Sequence, residues 1–285
     1  MVNDQRKNRL ESAASATSCS STSTHTAPSS VADDVSGEGY VTILGFGSLL
    51  SERSSRTTFP ELINFRLGRV PGHRRVFGHP ASIFFQRGIA CMDTLEISSL
   101  CAERDGESFV TRGDEGKEGA NVGGPGFVCA VFEVPNDGLM NDPDGSGRLL
   151  PSQAFLEREE EFDIEMVPYE ELSDRGERRE GILCLRSTDE AYLKRWGEKQ
   201  FEAQYGRYGV ETIWKWAKDS GLRPCAPYLR HCVIAAERMG KGCLDSFLDE
   251  TFLVDRKTTV REYLEMHPEV MDQLPPPHLA VRYGG

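Results

Sequence analysis

The sequence predicts an α+β fold, in which a mixed or antiparallel, barrel-like sheet is followed by helices. Short apolar and β-branched runs, separated by turns that contain Gly and Pro, dominate the chain up to residue 186. From residue 187 onward apolar residues recur at three- and four-residue spacing, which indicates amphipathic helices. Because the strands precede the helices instead of alternating with them, the order favours α+β over a parallel α/β sheet.

The strand signals follow one another along the first part of the chain. The run 40–45 opens the sheet, and 64–80 gives two extended pieces around a Pro-Gly break. The segments 82–85 and 92–100 continue the strand pattern, and 126–134 is the strongest strand signal. Further elements are a helix at 151–161, strands at 162–167 and 181–186, an exposed Gly-rich insertion at 103–125 and a loop at 135–147.

The C-terminal part is predicted to be helical, with Thr258 or Thr259 as the cap of the last helix. The segments with helical spacing are 189–199, 210–221, 227–240, 243–253 and 258–270.

Composition divides the chain into three parts. Residues 1–38 are rich in Ser, Thr and Ala, which predicts a disordered tail. Residues 39–186 form the predicted sheet domain, and 187–285 form a helical extension packed on the same domain. Basic residues near the start, followed by Ser and Thr, faintly resemble an organelle transit peptide, whereas Asp4 and Glu11 do not fit one.

Charge and cysteine content narrow the class of protein. A net charge of −12 argues against a general nucleic-acid binder, since phosphate neutralisation needs a basic face. The eight cysteines form no Cys-x-x-Cys pair or zinc-type spacing, which favours free thiols in a reducing compartment. The apolar runs are too short for a membrane span. We therefore expect a cytoplasmic protein, with an organelle address in residues 1–38 left open.

The first strand ends in an unusual sequence, Gly45-Phe46-Gly47-Ser48. Two nearby glycines indicate either unusual backbone dihedrals or the close approach of another group, so the segment is a tight turn or a ligand cradle. A dinucleotide fingerprint would need a third glycine at Leu50, and no Gly-Lys-Ser/Thr ending of a phosphate loop follows. Both nucleotide interpretations therefore fail.

A run of glutamates at 157–161 is the second candidate for chemistry. It is either a solvated helix face or a helix–strand junction at which one carboxylate points inward, with a raised pKa suited to proton transfer. None of the six histidines has a spacing that suits a metal site with this run. Ser48 as a hydrolase nucleophile remains a further hypothesis, without the G-x-S-x-G context.

Taken together, these features resemble the gamma-glutamylcyclotransferase superfamily. The segment 46–49, Phe-Gly-Ser-Leu, is similar to the family's Tyr-Gly-Ser-Leu or Tyr-Gly-Ser-Asn loop, with Phe in place of Tyr. The segment 68–77 matches the Gly-x-x-x-Gly-x-x-Arg-x-Phe strand of the ChaC-like branch. The segment 155–159 resembles the Leu-x-x-Arg-Glu pattern that carries that branch's catalytic glutamate, here Glu159. The smaller members' Leu-Asp-x-x-Glu-Gly pattern gives Glu160 instead, so the register stays open, with Arg158 favouring Glu159.

The resemblance implies a barrel-like sheet of the gamma-glutamylcyclotransferase type and an enzyme, a lyase, that needs no metal or cofactor. It would cyclise the γ-glutamyl group of glutathione, or of another small γ-glutamyl amide, to 5-oxoproline and release the amine. The alternative is a non-catalytic binding or scaffold protein with the same fold. Carried over to this chain, the catalytic candidates are Glu159 and Glu160, and the substrate-binding candidates are Gly45, Phe46, Gly47, Ser48, Leu49, Arg75 and Tyr228.

Overall fold

The computed structural model is an α+β protein, as the sequence predicts. The predicted tail 1–38, most of the insertion 103–125 and most of the loop 135–147 lie outside the described residues. The described residues are 39–105, 126–135, 140–141, 149–150, 153–173 and 178–283.

Strands fill the first part of the described chain, and the longer helices follow it. The strands are β1 Tyr40–Gly45, β2 Ile63–Pro71, β3 His73–Pro80, β4 Glu96–Arg104, β5 Gly126–Pro135, β6 Met140–Asn141, β7 Leu149–Leu150, β8 Asp163–Glu171, β9 Arg178–Leu185, β10 Arg223–Pro224 and β11 Thr251–Phe252. The α-helices are α1 Glu52–Arg56, α2 Ser82–Gln86, α3 Gln153–Arg158, α4 Asp189–Trp196, α5 Glu198–Gln204, α6 Ala226–Arg238, α7 Lys241–Asp249, α8 Val260–Met266 and α9 Ala280–Tyr283.

Five strands close into a mixed barrel in the order β1-β5-β2-β8-β9. The closing contact is parallel and joins Ile43 of β1 to Ile182 of β9. From β9 the sheet continues through β4 and β3 to β11, and β10 pairs with β4. This arrangement confirms the predicted barrel-like sheet.

The topology brings two candidate segments to one end of the barrel. The carboxyl ends of β1 and β9 point the same way because these strands are parallel. The amino end of β8 joins them because β8 runs antiparallel to β9. Residues 45–49 leave β1 at this end, and residues 159–161 enter β8 there.

A single apolar cluster joins the barrel to the C-terminal helices. Every residue of β5 except Pro135 is buried, which explains its strong strand signal. Leu229 and Cys232 of α6 and Phe247 of α7 are buried in the same cluster. The helices therefore pack on the sheet, while the predicted division at residues 186 and 187 stays a prediction. No helix in the described ranges combines the length and apolarity needed to cross a membrane.

Two predicted elements are wrong. The segment 82–85 is part of helix α2, because a four-residue apolar run does not distinguish a strand from a helix. The segment 210–221 is not helical. Its backbone is held instead by Asp189, whose carboxylate accepts from the N–H groups of Ile213 at 3.0 Å and Trp214 at 2.8 Å.

The remaining helix predictions differ mainly at their ends. The helix predicted at 151–161 is shorter and ends at Arg158. The cap of α8 is Thr259, whose side chain and Glu262 form a reciprocal capping box.

Candidate active site

Gly45 and Gly47 are required by close contacts, not by positive backbone angles. A Cβ at Gly47, whose φ is −121°, would lie 2.3 Å from the hydroxyl oxygen of Tyr228. A Cβ at Gly45 would lie 2.5 Å from the Cβ of Leu49. Close approach, one of the two possibilities left open by the sequence, is therefore observed at both glycines.

The segment after β1 folds into a short 3₁₀ turn that leaves two backbone donors unused. The N–H of Leu50 donates to the carbonyl of Gly47 at 3.0 Å, and the N–H of Ser51 donates to that of Ser48 at 3.3 Å. Within the described chain, the N–H groups of Phe46 and Gly47 have no acceptor. Both residues border a cavity, where these groups are suited to an anionic ligand.

This cavity has a volume of about 520 Å³, within the range of roughly 300–1,000 Å³ typical of small-molecule sites. It lies between the segment 45–49, helix α2 and the residues that precede β8. The polar and aromatic side chains that line it include Ser48, Thr58, His79, Ser82, Arg87, Glu157, Arg158, Glu159, Glu160, Glu161, Cys184, Gln204, Tyr228 and Tyr283.

Arg158 connects the glutamate run to the loop after β1. Its Nε donates to the carboxylate of Glu159 at 2.8 Å, its Nη2 donates to the hydroxyl of Ser48 at 3.2 Å, and its Nη1 donates to Thr58. Burial and the nearby Glu159 carboxylate raise the pKa of the Cys184 thiol well above its usual value, so this thiol stays protonated. The described partner of Ser48 is an arginine and not a histidine, so the hydrolase hypothesis lacks its general base.

Glu160 and Glu161 form a buried pair of carboxyl groups against Ser82. The hydroxyl of Ser82 donates to Glu160 at 2.9 Å, and its backbone N–H donates to Glu161 at 3.2 Å. The hydroxyl of Tyr205 also donates to Glu161. Burial, together with the neighbouring Glu160, raises the pKa of Glu161 to about 8, and burial raises the pKa of Glu160 as well. Near neutral pH the pair therefore retains a proton.

Tyr228, a predicted substrate-binding residue, borders the cavity and contacts the loop at Gly47.

Arg75 does not line the cavity, which corrects the prediction that it binds substrate. It is fully buried, its guanidinium lies about 5 Å from the ring centroids of Phe127 and Phe247, and it donates to the carbonyl of Ser246 at 2.6 Å. Burial lowers its pKa to about 10. Its position indicates that it stabilises the contact between β3 and α7.

His79 forms an apolar part of the cavity wall. Its ring stacks on Trp214 at 4.4 Å and meets the edge of Phe162 at 5.0 Å. Burial lowers the pKa of His79 to about 3, so it is neutral at physiological pH. The described residues contain no group of three or more His, Cys, Asp or Glu side chains that could hold a metal ion.

Comparisons with known proteins give matches to structures only. No protein-family model and no curated protein matches the sequence. A structure named gamma-glutamyl cyclotransferase is 11% identical, with 70% of this chain and 80% of that one covered and a TM-score of 0.38. A gamma-glutamyl cyclotransferase specific to glutathione from yeast is 12% identical, with 82% and 96% covered and a TM-score of 0.42. An uncharacterized human protein is 11% identical, with 70% and 80% covered and a TM-score of 0.37.

Two of these similarities are thus to structures of gamma-glutamyl cyclotransferases. These structures carry the same name as the family that the sequence resembles, and identities of 11–12% mark strong divergence from them. A likeness with TM-scores of 0.42 or less carries nothing about activity, which has to rest on the chain's own residues.

Sequence reasoning missed several residues of the cavity wall. Glu161 is adjacent to the two predicted glutamates, and its position at the helix–strand junction was the available signal. Ser82 was hidden inside a segment predicted to be a strand. Arg87 and Tyr283 belong to no recognisable motif, because only the folded chain brings the C-terminal helix α9 to the cavity.

Proposed function

We propose that this protein cyclises the γ-glutamyl group of glutathione, or of another γ-glutamyl amide, to 5-oxoproline and releases the amine. One observation carries the proposal. The buried carboxyl group of Glu160, which has no cation partner among the described residues, borders the same cavity as the unused N–H groups of Phe46 and Gly47. Such a cavity has a proton acceptor and an anion-binding loop within reach of one small ligand.

The proposed reaction needs no outside nucleophile. The α-amine of the substrate attacks its own γ-carbonyl carbon, a C–N bond closes a five-membered ring, and the C–N bond to the leaving amine breaks. The α-ammonium gives up two protons, and the departing nitrogen gains two as it leaves as an ammonium ion. A carboxylate that alternately accepts and donates keeps this balance. The main task of the protein is to fold the substrate into attack geometry.

The loop and Tyr228 suit the glutamyl end of the substrate. The N–H groups of Phe46 and Gly47 would hold its α-carboxylate, since successive backbone donors form an anion-binding concavity. The Tyr228 hydroxyl lies against Gly47 and would donate to the same end.

Glu160 suits the role of the base better than Glu159. Burial raises the pKa of Glu160, which makes its carboxylate a better proton acceptor near neutral pH. The Glu159 carboxylate is already bound to the guanidinium of Arg158, which also holds Ser48. We therefore propose that Glu159 positions the loop through Arg158 and that Glu160 moves the proton.

The test is an assay of 5-oxoproline from glutathione and from γ-glutamyl amino acids. Glu160→Gln should lower kcat by about 10²–10⁴-fold, the usual contribution of a general acid–base. Glu159→Gln should keep measurable turnover with a raised KM. Glu190→Gln, which removes a surface carboxylate paired with Lys215, is the matched control and should behave as wild type.

Two results would count against this assignment. Loss of activity in Glu159→Gln alone would move the base to Glu159. A folded wild-type protein that produces no 5-oxoproline from any of these substrates would favour the non-catalytic alternative.

A further inference from the structure

A second arginine borders the cavity without an acid partner in the described chain. Arg87 follows α2 and is half-buried. Its guanidinium lies 5.4 Å from the centroid of the Tyr283 ring, and its Nη1 donates to the Tyr283 hydroxyl at 2.5 Å. Arg158, the other arginine of the cavity wall, is already paired with Glu159. Of the two arginines that line the cavity, Arg87 is therefore the one whose charge is available to a ligand.

Arg87 contacts the loop that suits the glutamyl end only through two tyrosines among the described residues. The hydroxyl of Tyr228 contacts Gly47, and the ring of Tyr228 lies 6.5 Å from that of Tyr283. Two aromatic side chains thus connect the loop to the guanidinium, whose described hydrogen bond goes to Tyr283 and not to the loop. Arg87 is positioned for a different part of the ligand from the part that the loop N–H groups reach.

Helix α2 sets the distance between Arg87 and the proposed base. Ser82, which donates to Glu160, begins the helix, and Arg87 directly follows its last residue. At a rise of about 1.5 Å per residue, the two backbone positions are roughly 7.5 Å apart along the axis. If the loop holds the glutamyl end of a ligand and Glu160 faces its scissile bond, the leaving group is the part that remains for Arg87.

The chemistry of this position favours a carboxylate. A guanidinium presents parallel N–H donors that match the two oxygens of a carboxylate, and stacking on Tyr283 restricts its plane. A half-buried charge without an opposite charge beside it is costly, and a ligand carboxylate would lower that cost. A cationic leaving group would be repelled by the same charge.

We propose that Arg87 binds a carboxylate on the amine that leaves the γ-glutamyl group. Arg87 would then be the residue by which this chain distinguishes a leaving amine that carries a carboxylate from a simple amine. This inference rests on the proposed function.

The experiment compares γ-glutamylalanine with its C-terminal amide, which differs only in the carboxylate. Wild-type full-length protein should turn over the acid with a kcat/KM about 10–100-fold above that of the amide, the effect of one charge-assisted hydrogen-bonded pair. Arg87→Gln should lose this factor for the acid and leave the amide unchanged. Arg87→Lys should restore part of it, because charge returns without the planar fork.

Arg207→Gln is the matched control. Arg207 also lies over a tyrosine, 5.1 Å from the ring centroid of Tyr208, but it is exposed and does not line the cavity. This variant should leave both substrates unchanged.

Equal turnover of acid and amide by the wild type would overturn the proposal. An equal loss for both substrates in Arg87→Gln would also overturn it, because Arg87 would then bind the glutamyl part that they share. If neither substrate is converted, the proposed function fails, and calorimetric binding of the same two ligands decides the subsite separately. A preference for the acid that Arg87→Gln abolishes would support a carboxylate subsite, and the absence of a preference would overturn it.

Discussion

Gly47 lets the Tyr228 hydroxyl reach the loop after β1, and this contact shapes one wall of the cavity. Gly47→Ala would place a Cβ 2.3 Å from that hydroxyl oxygen. We expect a loss of about 1–3 kcal/mol in the free energy of unfolding, as for other overpacked sites, together with a higher KM. The measurement is denaturant unfolding alongside the 5-oxoproline assay.

A second substitution makes this prediction specific. Tyr228→Phe removes the clashing oxygen, and the nearest ring carbon would then lie at an ordinary contact distance of 3.5 Å. Gly47→Ala should therefore lower the free energy of unfolding much less in the Tyr228→Phe protein than in the wild type. If the two losses simply add, the Gly47–Tyr228 contact does not explain the glycine.

The raised pKa of Glu161 predicts a pH dependence of stability. Its pKa is about 8 in the folded protein, against an ordinary value of 4.5, so between these pH values the folded state holds a proton that the unfolded state has released. Stability therefore falls as the pH rises through this window, and the loss is complete above it. Glu161→Gln should flatten this decline and melt a few degrees above wild type at pH 9, at about 2–4 °C per kcal/mol.

The same comparison at low pH provides the control. Well below pH 4.5 both wild-type states are protonated at Glu161, so the two proteins should melt together there. A wild type that becomes more stable between pH 5 and 8 relative to Glu161→Gln would contradict the assigned burial of this carboxyl group.

At the scale of elements, Asp189 holds the backbone of the segment 210–221 at residues 212–214. Helical spacing in the sequence predicts a helix there, but the Asp189 carboxylate accepts from two backbone N–H groups and from the Thr212 hydroxyl. These long-range hydrogen bonds outweigh local propensity, which is worth only a few tenths of a kcal/mol per residue. The spacing alone carries no information about a partner that lies 23–25 residues away.

Asp189→Ala should destabilise the protein by about 2–3 kcal/mol, because it leaves buried donors without an acceptor. Trp214, which is 2% exposed and stacks on His79, should report the change through its fluorescence. Asp219→Ala, an exposed position in the same region, should leave stability and fluorescence unchanged. Equal stability of the wild type and Asp189→Ala would show that another interaction fixes this segment.

At the scale of the whole molecule, the sequence predicts the kinds of elements better than their long-range contacts. Apolar runs located β5, β8 and β9, and periodicity located α6 and α8, because these signals are local. The closing pair Ile43–Ile182 joins residues far apart in the chain, and no local pattern specifies it. The barrel-like sheet was predicted from the order of the elements and from the resemblance, whereas the order of the strands is known only from the structure.

The candidate site follows the same rule. The motifs identified the loop after β1, Glu159, Glu160 and Tyr228, all of which border the cavity. Arg75 was predicted from the strand motif at 68–77, but its guanidinium lies in the contact between β3 and α7. Arg87 lies at the cavity because of helix packing, which no motif describes.

The identity of the product formed from γ-glutamylalanine by the full chain in isotope-labelled water tests the central claim most directly. Intramolecular cyclisation predicts 5-oxoproline and alanine in equal amounts, with no oxygen from the solvent in either product. Glutamate that carries labelled oxygen would mean hydrolysis by water. That result, or no conversion by the folded protein, would contradict the proposed reaction.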